Sequence, residues 1–201
     1  MNQINLKGQK MKKELTRKVT LDSITDIMFD RYSGDNKTEL SVDKKMYLAR
    51  DGKMVVLPST NISSFLSAIN TPSAPKRLLD SRKYKSVAQA MLSYVAISPH
   101  EIPFMRGGKP IMFTGFDDNG EDIDAGIYIH RSVARLEKGI PNPKVRPVLK
   151  APWSLEFNIN VFPNEEFNED MLKNMFDLGG IAVGLGTYRG VFGKFRVSQW
   201  K

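Results

Sequence analysis

An α+β fold, with a ferredoxin-like core and a long central insertion, follows from three features of these 201 residues. Trp153 to Phe162 alternates between apolar and polar side chains, the period of a strand buried on one face. An amphipathic helix after Asn168 and a closing KFRVSQW strand make a strand–helix–strand half within about fifty residues. The N-terminal half supplies a strand, a hairpin and helices of its own, so the two halves suggest a split βαβ arrangement.

Lys18 to Tyr32 reads as a long first strand, rich in Val, Thr, Ile and Phe, with a bulge or kink near Ser23 to Asp26 where the alternation breaks. Met46–Leu48 and Met54–Leu57 flank Asp51-Gly52, a strong hairpin signal, and Pro58 stops the second strand. Ser59-Thr60-Asn61 then offers an N-cap to a helix whose apolar positions are Ile62, Phe65, Leu66 and Ile69. Asn70 to Lys85 is a proline-punctuated connector with five cations to one acid. A second helix follows from Val87 to Ala96, striped by Val87, Met91, Leu92 and Val95. Pro99 and Pro103 bracket a turn, Ile111 to Phe116 reads as a strand, and Asp117-Asp118-Asn119-Gly120 turns the chain into another strand near Ile127 to Val133. The acids around that turn miss the calcium-loop spacing because Gly120 comes too early, and a hairpin tip with solvated charges accounts for them. Past Trp153–Phe162, Asn168 caps a helix with Glu169 and Asp170 in its first turn, striped by Met171, Leu172, Met175 and Phe176, and Gly179 is the expected C′ residue.

A chain of this length buries roughly 70 % of its unfolded surface, enough for a core without staples. With 30 Lys and Arg against 22 Asp and Glu, the formal net charge is +8, which favours nucleic acid or an acidic surface without choosing between them. Cysteine is absent, which excludes disulfides and thiolate metal sites and permits a reducing compartment. No apolar run approaches the ~20 residues of a membrane span, and no apolar stretch follows the basic start MNQINLKGQKMKKELTRK as in a signal peptide. The expectation is a cytoplasmic protein with no membrane partner: a basic arm over 1–17, then one domain over 18–201 that carries 97–150 as an insertion. For the arm, a solvated tail and a nucleic-acid contact fit equally.

The most pointed chemistry lies near the C-terminus. Gly184, Gly186, Gly190 and Gly193 are threaded with Tyr188, Arg189, Phe192 and Lys194, and no acid follows Asp177. A loop without Cβ atoms exposes backbone N–H groups, and cations with aromatic faces beside it suit phosphates and bases. It is not a P-loop, since Tyr188 stands where the first glycine belongs and Phe195 follows Lys194. It is not a dinucleotide fingerprint either, since Arg189 occupies a required glycine position and the loop leaves a helix instead of opening one. A glycine-rich hairpin without a ligand fits the same residues, and Phe192 fits the core as well as a base. Arg131 to Lys150 is a second basic stretch, with Arg131, Arg135, Lys138, Lys144, Arg146 and Lys150 against Glu137, and its glycine and prolines make it an extended or looped excursion.

The segment GIAVGLGTYRGVFGKFRV resembles the glycine-rich loop of the RAMP superfamily, the RNA-binding proteins of CRISPR systems, through Gly184, Gly186, Gly190, Phe192 and Gly193. Upstream, VVLPSTNISSFLSAI is similar to the strand–Pro–Gly/Ser–helix segment of those proteins, with Thr60 and Ser63 replacing the usual glycine and basic residue. The layout also resembles phage proteins that share the C-terminal loop. The resemblance implies a fold of the RNA-recognition-motif type that holds single-stranded RNA, or DNA, and assembles as a homo-oligomer or within a multi-subunit nucleoprotein complex. It further implies that 97–150 acts as a thumb. The expected nucleic-acid site is Gly184, Gly186, Tyr188, Arg189, Gly190, Phe192, Gly193 and Lys194, with Arg131, Arg135, Lys144 and Arg146 of the basic stretch as a second group and Ser59 and Asn61 of the upstream segment as a third.

No catalytic residue, metal or cofactor is assigned, and the expectation is a binder and not an enzyme. The alternatives are a metal-independent endoribonuclease, for which His100 and His130 are the two available general acids or bases, and a phage structural or assembly protein without nucleic acid.

Overall fold

A computed structural model describes residues 13–35, 38–68, 84–135 and 141–201. Most of the basic arm, residues 36–37, residues 69–83 (which include most of the connector) and residues 136–140 lie outside the described residues. The chain runs β1 (Leu15–Ser23), β2 (Ile27–Met28), β3 (Val56–Pro58), α1 (Ser59–Ala68), α2 (Tyr84–Tyr94), β4 (Val95–Ser98), β5 (Glu101–Arg106) and β6 (Lys109–Pro110). It continues with β7 (Glu121–Asp122), β8 (Ile127–Arg135), β9 (Pro141–Leu149), β10 (Ser154–Val161), α3 (Glu169–Ala182) and β11 (Phe195–Trp200). Among the described residues, no helix is long and apolar enough to cross a membrane.

The alternating segment becomes β10, the middle of a sheet ordered β11-β1-β10-β5-β3, with β4 beside β10 and β6 beside β5. Every pairing is antiparallel. α1 and α2 connect β3 to β4, both on the side of β10 away from β1, and α3 connects β10 to β11 on the far side of β1. That α+β arrangement is consistent with a ferredoxin-like core. One face of β10, carrying Leu155, Phe157 and Ile159, is buried beneath the helices. Phe65 of α1 meets Phe176 of α3 at 5.5 Å and Phe195 of β11 at 5.3 Å, and Phe176 also meets Trp200 at 5.8 Å. Burying each such ring stabilises the fold by about 1.5–3 kcal/mol, and ring pairing adds about 0.5–1.5.

A second sheet, ordered β2-β9-β8-β7, takes its edge strand from the N-terminal segment. The kink expected near Ser23 to Asp26 is therefore a change of sheet: the amides of Ile24 and Thr25 donate to Lys194 O, and Ala151 N donates to Asp26 Oδ1 at 2.9 Å. Residues 97–150 do not leave the core as a single excursion. β4 and β5 pair with β10, whereas β7, β8 and β9 build the second sheet. Arg106, the last residue of β5, joins the two sheets by donating to three carbonyl oxygens: Pro152 at 2.9 Å, Ala125 at 2.8 Å and Lys150 at 2.7 Å.

Several local expectations are corrected. α3 runs through Gly179 to Ala182, because Gly180 has a packing role: a Cβ there would stand 2.5 Å from Phe195 O. The helix end falls to Val183 and Gly184, with φ +79° at Gly184. Ser59 is the first residue of α1 and bonds outward instead of capping it. In α2, Leu92 is exposed and Ala90 takes its place in the buried stripe. Pro103 sits inside β5 opposite Val56, where the ladder needs no donor from it. Ile111 to Phe116 pairs only through an isolated bridge at Met112. The Asp51-Gly52 hairpin forms, with Gly52 at φ +70° and the Asp51 carboxylate accepting from the amides of Lys53 and Met54.

Candidate nucleic-acid interface

The glycine-rich loop is seated on β2 and on the turn before it. Thr187 N donates to Met28 O at 2.9 Å, Gly193 N to Asp26 O at 2.7 Å and Lys194 N to Thr25 Oγ1 at 3.0 Å, while Leu185 N donates to Gly193 O at 2.9 Å. Most of its glycines answer to this seating. A Cβ would stand 2.8 Å from Gly193 O at Gly184 and 2.5 Å from Met28 O at Gly186, and at Gly193 it would collide with Leu185 O. Their lack of a side chain lets the loop touch its own chain, so it is the stretch from Tyr188 to Gly190 that faces outward.

Tyr188 is the one non-glycine residue among those described with a positive φ, at 52°, and it is 58 % exposed. A left-handed tyrosine costs on the order of 1–2 kcal/mol, a strain that clusters at functional positions. Among the described residues, the amides of Gly186, Tyr188 and Arg189 have no hydrogen-bond partner, and Arg189, Lys194 and Arg131 make no ion pair. Arg189 is exposed, yet the surrounding loop desolvates its guanidinium enough to draw its pKa down. An arginine stays charged under either influence.

Phe192 is half-buried and joins two rings: Tyr188 at 6.0 Å and His130 of β8 at 5.6 Å, the latter edge-on. The sequence offers His130 as an acid or base, or as a packing or surface residue of a strand, and its place beside Phe192, 62 positions away, has no local signal.

The second group of cations divides between the faces of the β8–β9 ribbon. Cross-strand partners share a face and neighbours along a strand alternate, so His130, Ser132, Lys144 and Arg146 lie on one side and Arg131 on the other. Arg146 is held by Asp30, Nε to Oδ2 at 2.7 Å. Lys144 lines a cleft of 410 Å³ with Asp30, Glu39 and Lys45, and its charge helps lower the Glu39 pKa, behind the larger effect of Lys45. The side chain of Arg135 lies outside the described residues. Tyr128 donates to Asp26 at 3.2 Å; desolvation, then that carboxylate, pushes its pKa up to about 12, so the phenol remains a donor at neutral pH.

Ser59 and Asn61 are not brought to the loop. Ser59 is buried, with Oγ 3.0 Å from His100 Nδ1 and its amide donating to His100 O, beside the start of β5. The glycine-rich loop lies at the other end, by Ser23 and Trp153, where β10 meets Met105. Among the described residues, the strand positions facing away from the helices, among them Thr16, Lys18, Thr20, Glu156, Asn158, Asn160, Ala96, Ser98 and Arg196, include no aromatic side chain; the exposed Tyr94 and Phe162, joined by a backbone hydrogen bond one step past the β4–β10 ladder, continue this face at its end.

No protein-family model matches this chain, and no curated protein matches it. Solved structures do. One is a chain of the cryo-EM structure of the Type III-B Cmr-beta bound to cognate target RNA, at a TM-score of 0.54 and 10 % identity. The match covers 94 % of this chain and 60 % of that one, so the chain spans about 60 % of the length of its match. The likeness is one of fold.

Proposed function

We propose that this chain binds single-stranded RNA, in preference to DNA, as a non-catalytic RAMP-like subunit that repeats along the strand within a multi-subunit nucleoprotein complex. The observation that carries the reading is the outward stretch Tyr188 to Gly190. There a strained, exposed ring, an arginine without an ion pair and amides without partners occupy one turn. Such a turn supplies charge and N–H groups for phosphates and a π-face for bases, without reading sequence. The fold likeness to a chain of an RNA-bound assembly supports the choice of RNA and of a complex. The β8–β9 ribbon, paired over nine registered positions, supports the thumb role, with Arg131 exposed on one face.

The test is fluorescence anisotropy with labelled single-stranded RNA and DNA at several salt concentrations, with size read by light scattering. Changing Arg189→Ala together with Lys194→Ala weakens binding to all sequences alike and shallows the salt slope by up to about two units. An unchanged slope removes those residues from the site, and no salt-sensitive binding by the unaltered chain refutes the reading.

One observation favours a second reading, metal-independent RNA cleavage: the Ser59–His100 contact places a hydroxyl against an imidazole. RNA cleavage in EDTA that is lost in His100→Ala establishes it, and no cleavage dismisses it.

A further inference from the structure

Three rings from two distant parts of the sequence form a continuous row. Tyr188 stands at the exposed apex of the glycine-rich loop, Phe192 follows at 6.0 Å, and His130 on β8 lies 5.6 Å beyond Phe192. All three keep accessible surface. Past His130 the same face of the ribbon carries Ser132, a small neutral residue, with Lys144 opposite it. Three carboxylates on this side are already engaged: Asp26 by Tyr128 and the Ala151 amide, Asp30 by Arg146, and Glu39 by Lys45. The row therefore offers aromatic surface flanked by Arg189 at one end and Lys144 at the other.

Resting on the RNA-binding reading above, we infer that Tyr188, Phe192 and His130 form one base-stacking row that carries unpaired bases from the glycine-rich loop onto the β8–β9 ribbon. His130 thereby acts as a π-face in the binding site. The ligand class is a single strand with stacking-competent bases. A duplex has its bases paired and stacked internally, and an abasic strand has none to offer. Stacking accepts every base, so the preference is for strong stackers.

The experiment compares labelled oligoadenylate with an abasic oligonucleotide of equal length and charge, by anisotropy at one salt concentration. The unaltered chain binds oligoadenylate at least tenfold more tightly. His130→Ala and Tyr188→Ala each reduce that preference by about tenfold, in line with the loss of one stacked base, and leave the salt slope unchanged. His130→Phe, which keeps a ring and discards the imidazole, retains it. Equal affinity for the two oligonucleotides, or a preference untouched by His130→Ala, overturns the row while leaving phosphate binding in place. Binding to neither oligonucleotide overturns the RNA-binding reading itself, and the row with it.

Discussion

The open face of the main sheet and the glycine-rich loop both meet solvent, and they are built in opposite ways. On the sheet, Lys18 is paired with Glu156 at 2.8 Å, Arg196 stands opposite Asp22, and the positions between them are small or amide residues. At the loop, Arg189 and Lys194 have no ion pair among the described residues, and a tyrosine is held in a left-handed conformation at the tip. In an RNA-recognition motif the sheet itself carries the stacking aromatics. Here the aromatics of that face are confined to its end, at Tyr94 and Phe162, and a separate set of rings stands at the edge where the loop meets the second sheet. On the proposed reading, the α+β arrangement serves as a mount for the loop.

The contrast breaks most completely at Gly193. Alanine there needs a left-handed backbone and a Cβ inside the space of Leu185 O, so Gly193→Ala costs about 3 kcal/mol or more in chemical denaturation. Asn158→Ala on the open face stays within about 0.5 kcal/mol. Comparable losses at both positions would mean that the loop is not seated as described.

A smaller effect concerns how the sheet edge holds α3. Glu169 accepts from Arg17 at 2.6 Å and from Trp200 Nε1 at 2.8 Å, and the Arg17 hydrogen bond is the main reason its pKa lies below the ordinary value of 4.5. A depressed carboxylate stabilises the fold above its unfolded pKa and loses that contribution as pH falls through the folded one. Glu169→Gln therefore costs about 1 kcal/mol at neutral pH, and the gap to the unaltered chain closes on acidification below 4.5. A gap that stays constant with pH would assign the cost to packing.

The smallest expected effect sharpens the comparison most. Lys18→Gln on the open face changes RNA affinity less than twofold, whereas Arg189→Gln lowers the salt slope by about one unit. Equal effects in the anisotropy titrations would return the sheet face to the binding surface.

How much of this was legible depends on sequence distance. The alternation at Trp153–Phe162 and the Asn168 cap are local signals, and both formed as read: Asn168 Oδ1 accepts from Met171 N at 2.9 Å. Gly179 misled because a glycine pair near a helix end reads as a stop, whereas Gly180 is required by the approach of Phe195, fifteen positions on. The second sheet was missed because β2 pairs with β9 across more than a hundred residues, and a two-residue strand has no period to read. Within the site, the glycine spacing and the flanking cations were visible. The Arg146–Asp30 pair, separated by 116 positions, and the His130–Phe192 contact had no local trace.

The three bonds of Arg106 have a mechanical consequence. Its planar guanidinium grips the turn before β8, the end of β9 and the lead into β10 at once. One side chain thus braces the base of the ribbon against the central strand, a cross-link that the strand pairings alone do not make.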